Sequence, residues 1–351
     1  MSLVHDLATA ALRQLDAETA HRAAVAALAA GLGPRSPAPD PILATTVGGL
    51  ALPSCIGLAA GFDKDAQAPD AVLAAGFGFV ECGTVTPLPQ AGNPKPRLFR
   101  LTDDHAVINR MGFNSGGLQA FARRLEKRRA RGAGGVVGAN LGANKDSGDR
   151  IGDYCAGLTR LWGLADYFTI NISSPNTPGL RALQTKAALD ELLERFAATR
   201  AGLPGHAPVF LKVAPDMHEG EPEAIVASAL AHGLDALIVG NTTVSRPPNL
   251  QSKHAGETGG LSGAPLATLA GQTLARFAHA SDGRIALIAA GGIGSGAQAY
   301  ERIRAGAGAV QLYSALVYGG LGLVRRIEEE LALLLRRDGL SSVGQAVGQG
   351  R

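Results

Sequence analysis

Apolar positions along this 351-residue chain follow two periods. Near the start, Leu3, Val4, Leu7, Ala8, Ala11, Leu12 and Leu15 recur at helical spacing. A second helix begins at Asp16 or Thr19 and runs through Ala24, Val25 and Leu28 to Gly31. Gly33 to Pro41 then holds four prolines in nine residues, which reads as a linker. Beyond it, short apolar runs alternate with helical stretches. The runs are Cys55–Ala59, Gly78–Cys82, Gly135–Asn140, Asp166–Asn171, Pro208–Val213, Asp235–Gly240, Arg284–Ala289 and Ala309–Tyr313. Lys186–Arg200, Glu219–His232 and Pro265–His279 are clear helical stretches between them.

Strand–helix alternation implies a parallel sheet, and eight units in succession imply closure into a (β/α)8 TIM barrel rather than an open doubly wound sheet. Thr45 to Leu52 reads as a hairpin at the barrel bottom, with Gly48-Gly49 as its turn. The organisation expected is therefore a two-helix extension (1–32), a linker (33–41), a barrel (42–340) and a C-terminal tail (341–351).

Composition narrows the function. With 46% hydrophobic residues and 47 glycines, a large core with many tight turns is expected. A formal charge of +3 argues against a nucleic-acid partner. The one dense basic run, Arg123 to Arg131, has helical spacing and reads as a solvated helix face. Cys55, Cys82 and Cys155 have no paired spacing; the first two sit in apolar runs and suit a core in a reducing compartment. Eight scattered histidines give no metal site. The N-terminus lacks a signal-peptide pattern, and no apolar run reaches membrane-spanning length.

The polar residues cluster just after the strands. Gly61-Phe62-Asp63-Lys64 follows the first and Gly83-Thr84-Val85-Thr86-Pro87 the second. Asn140, Asn171 and Lys212 end or nearly end the next three. Asn241-Thr242-Thr243, Gly291-Gly292 and Tyr313-Ser314 follow the last three. In a barrel, all of these open onto the C-terminal face, where such folds do chemistry. The run Gly291-Gly292-Ile293-Gly294-Ser295-Gly296, placed before a helix, offers backbone amides to a phosphate, together with Tyr313-Ser314 and Gly263. A Rossmann reading fails, because no later strand brings a ribose-binding acid. Asn109, Asn171, Asn176 and Asn241 supply donors and acceptors suited to a uracil-type ring.

These motifs resemble the dihydroorotate dehydrogenase family. The likeness rests on Gly61–Lys64, Gly83–Pro87, Pro96–Arg100, Ile108–Asn114, Asn171–Thr177, Asn241–Thr243 and Gly259–Gly263. It covers about residues 10 to 340. The serine form of the Asn171–Thr177 loop and the N-terminal extension are similar to the quinone-dependent class 2. The resemblance implies FMN held by Ala60, Gly61, Lys64, Thr84, Asn140, Asn171, Lys212, Gly240, Gly263, Gly292, Tyr313 and Ser314. It implies dihydroorotate and its product orotate contacted by Lys64, Asn109, Arg110, Met111, Gly112, Phe113, Asn171, Asn176, Asn241 and Thr242, with Lys64 pairing the substrate carboxylate. Gly240 stands where threonine is usual, so only a backbone contact is expected there.

Ser174 is the expected base, taking a proton from substrate C5 while FMN takes the hydride from C6; a serine hydroxyl needs electrostatic help for this. Lys212, in an apolar strand, must find an anionic or polar partner; beside a flavin it would favour the reduced, anionic ring. His21 and Arg100 are the expected quinone contacts, with Tyr313 between them and the flavin, and Leu3, Leu7, Leu12 and Leu28 lining an apolar slot for a ubiquinone-type acceptor. The two helices would lie on a membrane surface, on the cytoplasmic side in a bacterium. Two alternatives stay open: another FMN barrel reductase acting on a uracil-like ring, and a phosphosugar-binding barrel without flavin.

Overall fold

The computed structural model describes residues 3–177 and 179–351, with the side chains of residues 3–7 and 181 outside the description. All eight apolar runs form strands: β1 (Ile56–Leu58), β2 (Phe79–Val85), β3 (Val136–Leu141), β4 (Tyr167–Asn171), β5 (Val209–Val213), β6 (Ala236–Val239), β7 (Ala286–Ala290) and β8 (Ala309–Leu312). They pair in parallel and in chain order, and β8 pairs β1, so the sheet closes into a barrel. An open doubly wound sheet is thereby excluded. The intervening helices include Lys186–Ala201, Glu221–Ala231 and Ala267–Ser281.

Period-two alternation along each strand stacks side chains inside the barrel in layers. The lowest is aromatic: Tyr167 lies 6.4 Å from Phe79 and 4.8 Å from Phe210, centroid to centroid. Gly57 and Gly138 make room for it, since a Cβ on either would fall 2.2 or 2.1 Å from a ring carbon of Phe79 or Tyr167. Two residues further along the same strands stand Glu81, Thr169 and Lys212, so the next layer is polar. The hairpin Thr45–Val47/Leu50–Leu52 sits under the aromatic layer, with Gly48 against Phe210 and Ala236.

An antiparallel three-stranded sheet, which the periodicity did not reveal, lies over the mouth: Leu98–Leu101, Ala106–Asn109 and Gly260–Gly263. Its strands are four residues each, too short for a periodic signal, and the third comes from a distant part of the chain. Phe99, Leu101, Ala106, Ile108 and Leu261 give it a small core of its own. The extension packs on this sheet. Helix α1 (Leu3–Leu12) leads to α2 (Ala17–Ala29), whose first turn is capped by Asp16 accepting from Thr19 N at 2.9 Å. Glu18 of α2 is buried and takes both Nε (3.1 Å) and Nη2 (2.8 Å) of Arg97.

The basic run differs from its expectation in part. Arg123 and Lys127 are exposed on the helix Leu118–Ala130, and so is Arg131, which caps its C-terminus. Arg128, however, is 2% exposed, bonded to Asp70 Oδ1 at 2.6 Å and to the Gly134 carbonyl. The helical period turns this one position inward, where its guanidinium ties the helix to the Asp70 segment. Cys55 and Cys82 are buried and free, as expected.

Candidate active site

A cavity of about 800 Å³ runs from the extension across the strand tops to the glycine loops after β7 and β8. It is lined by most residues read from the strand-top motifs: Ala60, Gly61, Lys64, Thr84, Asn171, Lys212, Gly263, Gly292, Tyr313 and Ser314, and also Asn109, Met111, Gly112, Phe113, Ser174, Asn176, Asn241 and Thr242. Segments far apart in sequence meet here because all follow barrel strands.

The floor is a buried hydrogen-bonded network. Thr84 Oγ1 donates to Asn140 Oδ1 (2.5 Å), and Asn171 Nδ2 donates to Thr84 Oγ1 (2.9 Å) and Asn140 Oδ1 (3.0 Å). Asn140 therefore stands behind the wall and orients Thr84 and Asn171, and does not line the cavity itself. Lys212 is 4% exposed, and burial lowers the pKa of its ammonium.

On the substrate side, Asn176 Nδ2 donates to Asn109 Oδ1 (3.2 Å), and Asn241 Nδ2 to Ser173 Oγ (2.7 Å), which in turn donates to Asn171 Oδ1 (2.8 Å). Asn93, not singled out from sequence, donates to the carbonyls of Asn176 (3.1 Å) and Arg110 (3.0 Å) and so fixes the Asn171–Thr177 loop against the mouth sheet. Ser174 is buried, and its Oγ accepts from Asn176 N at 3.3 Å. Burial and the Arg97 charge pull the Lys64 ammonium down to about 8. Neither Lys64 nor Lys212 makes a hydrogen bond to another described residue. An ammonium held in a cavity with no hydrogen-bonding acceptor of the protein fits a ligand that supplies one.

Arg110 lies elsewhere: its guanidinium bonds Glu257 Oε2 at 2.8 Å and stacks 4.6 Å from the Phe99 ring centroid. It clamps the segment leading into Gly259–Gly263 and does not line the cavity. Gly240 is also outside the wall. Its φ is +120°, and a Cβ there would fall 2.0 Å from the Ala290 carbonyl oxygen, so this backbone excludes the threonine usual at that position.

The glycine run offers fewer free backbone amides than its sequence suggests. Gly294 N donates to Gln298 Oε1 (2.8 Å) and Gly296 N to Glu330 Oε2 (2.6 Å), so half of the glycine run is occupied by the protein's own acceptors. Gly291, Gly292 and Ile293 remain, facing Gly263 and Ser314, whose Oγ donates to Ser262 Oγ at 2.7 Å.

At the extension end, Leu12 and Leu28 line the cavity with Ala20 and His21; the side chains of Leu3 and Leu7 lie outside the described residues. His21 stands edge-on to Phe62 (5.4 Å), which is edge-on to Tyr313 (5.6 Å), and Tyr313 Oη lies 3.4 Å from His21 Nδ1. Burial, then the charge of Lys64, brings His21 down to about 4, so it is neutral at physiological pH. Arg100 lines the same end and donates to the Leu12 and Leu15 carbonyls, closing the α1–α2 turn. Among the described residues no cluster of metal-ligating side chains occurs and no helix is long and apolar enough to cross a membrane.

Fold and cavity together define an α/β-barrel protein whose strand-top cleft holds Lys64 and the asparagine amides toward one end and the Gly291–Ile293 backbone toward the other. The dihydroorotate dehydrogenase family model matches residues 42–335. The chain is 56% identical over 345 residues to dihydroorotate dehydrogenase (quinone) of Sphingopyxis alaskensis, covering 98% of this chain and 96% of that one. It is 55% identical to the same-named protein of Rhodospirillum rubrum, covering 95% and 91%. A crystal structure of dihydroorotate dehydrogenase from Eimeria tenella in complex with ferulenol superposes with a TM-score of 0.92 at 42% identity, covering 95% of each chain. The chain belongs to the dihydroorotate dehydrogenase family.

Proposed function

We propose that this chain is a quinone-dependent, FMN-containing dihydroorotate dehydrogenase, oxidising (S)-dihydroorotate to orotate in pyrimidine biosynthesis. The observation that carries this reading is the enclosed, unpaired ammonium of Lys64 in one cavity with Asn109, Asn176, Asn241 and Ser174. A dihydroorotate carboxylate is the partner that lysine lacks, and the asparagine amides match the ring's imide edge. This acid-specific feature distinguishes the reading from a reductase of neutral uracil-like rings.

The other end fits FMN. The buried Lys212 ammonium, the Gln311 Oε1 left without a partner at the cavity wall and the Gly291–Ile293 amides suit a ring with carbonyl and N–H edges and a phosphate tail. FMN would supply the hydride acceptor. Ala60, Gly61, Thr84, Asn171, Gly263, Gly292, Tyr313 and Ser314 would hold it, with Asn140 acting behind Thr84 and Asn171. Ser174 takes the C5 proton as its own hydroxyl proton passes to water at the cavity mouth. Its oxygen already accepts one amide hydrogen from Asn176 N, which favours the negative charge that develops on it as its proton leaves. Tyr313, Phe62 and His21 connect the mouth to the slot between α1 and α2, which we assign to the quinone. Residues 1–32 serve as a unit that lies on the membrane surface, joined by 33–41 to a barrel of residues 42–340 with a short tail behind it.

Anaerobic mixing of the purified yellow protein with dihydroorotate tests the reading. The flavin absorbance should bleach and return when a quinone is added. A colourless protein that takes up no FMN would favour a flavin-free phosphate-binding barrel instead.

A further inference from the structure

The polar layer beneath the cavity contains one acid. Glu81, on β2, has no solvent exposure, and both of its carboxylate oxygens accept hydrogen bonds. Oε1 takes Asn140 Nδ2 at 2.6 Å. Oε2 takes Gln311 Nε2 at 2.9 Å, Thr169 Oγ1 at 3.1 Å and Tyr167 Oη at 3.3 Å. Four donors from three other strands converge on it. The amide donors of Asn140 and Gln311 cannot accept a proton from the acid, so the arrangement is built for a carboxylate.

A negative charge enclosed by neutral dipoles in a barrel needs a counter-charge. Lys212, two residues past Phe210 on β5, belongs to the same layer. Glu81 is the one charged group that acts on Lys212 among the described residues, and it opposes the lowering that burial imposes. Tyr167 and Cys82 also sit in the field of Glu81, and burial holds both neutral.

We propose that Glu81 is a positioning residue: it is the counter-charge that keeps Lys212 an ammonium at the cavity floor, and through Asn140 it sets the orientation of Thr84 and Asn171. The Asn140 amide that donates to Glu81 presents its oxygen to both of those side chains, so one carboxylate organises the cation and the hydrogen-bonding face together. The proposal rests on the assignment of the floor as a cofactor seat only for its consequence. The charge coupling itself is a property of the protein alone.

Its test therefore uses the protein's lysines. The chain has seven, few enough to follow by NMR of lysine labelled at the carbon beside the ammonium, with the Lys212 signal identified by its loss in Lys212→Met. In Glu81→Gln the protonation midpoint of Lys212 should fall by at least one pH unit, a tenfold or larger loss of proton affinity. Glu81→Asp, which keeps the charge, should stay within half a unit of wild type. Equal midpoints in Glu81→Gln and wild type would overturn the proposal. If Glu81→Gln does not fold, the reciprocal variant decides the matter. By linkage, Lys212→Met should shift the pH at which the Glu81 carboxyl band appears in infrared difference spectra upward by as much as Glu81→Gln lowers the Lys212 midpoint, and an unshifted band would refute the pairing. Both readouts work with or without bound flavin, so absence of flavin would count against the proposed function and leave this inference standing on its own result.

Discussion

Lys64 offers the sharpest test of the site's chemistry, through orotate binding as a function of pH. In the ligand-free protein its pKa is about 8, set by burial and the charge of Arg97. A substrate carboxylate beside it favours the charged form, so the bound complex has a higher pKa than the free protein. Affinity must then fall as pH rises through 8. With a pKa near 8, about nine-tenths of the free protein carries the ammonium at pH 7 and about one-tenth at pH 9, so the apparent affinity should drop about tenfold between them. Lys64→Met removes a charge-assisted hydrogen bond. At about 1.5–3 kcal/mol and about 1.4 kcal/mol per decade, orotate should bind roughly 10- to 150-fold more weakly at pH 7. The variant should also lose the fall between pH 7 and 9. Isothermal titration calorimetry of orotate against both proteins measures each quantity. A variant that kept the wild-type pH slope would remove Lys64 from the carboxylate.

The remaining predictions test the base, the extension and one buried acid. Ser174→Ala should fold, keep its flavin and bind orotate, yet reduce the flavin roughly 10²- to 10⁴-fold more slowly, the usual cost of a lost general base; stopped-flow bleaching at the wild-type rate would exclude Ser174. Deleting residues 1–32 exposes Arg97 to water rather than burying it unpaired, so the barrel should survive and dihydroorotate should still bleach the flavin. Ubiquinone turnover and liposome co-sedimentation should collapse, and a full rate with a long-chain quinone would place the acceptor elsewhere. Glu328 is 1% exposed, and burial raises its carboxyl above the ordinary 4.5. The folded state thus favours the neutral acid: its stabilising preference is complete below pH 4.5 and is lost as pH rises towards the folded value. Glu328→Gln should flatten that decline in thermal midpoint, and parallel midpoint-versus-pH curves for variant and wild type would refute it.

The barrel was legible in the sequence because each buried parallel strand must be a short apolar run, and eight such runs separated by helical periods have one economical closure. The strand-top residues were legible for a related reason: fold geometry alone sends Lys64, Asn171, Lys212 and Asn241 to one face. The limits are equally physical. The mouth sheet adds Gly260–Gly263 to the short hairpin Leu98–Leu101/Ala106–Asn109 from far along the chain, and four-residue strands so joined leave no local period. Arg110 carries the same motif letters as its neighbours, but the ion pair with Glu257 that turns it away is a long-range contact. Gln298 and Glu330 take the Gly294 and Gly296 amides from helices beside the loop, so a glycine count overstates the phosphate seat. Glu81 drew no reading from the sequence, where it is one acid inside the run Gly78–Cys82. Its partners come from β3, β4 and β8, and only closure of the barrel decides that four donors meet one carboxylate.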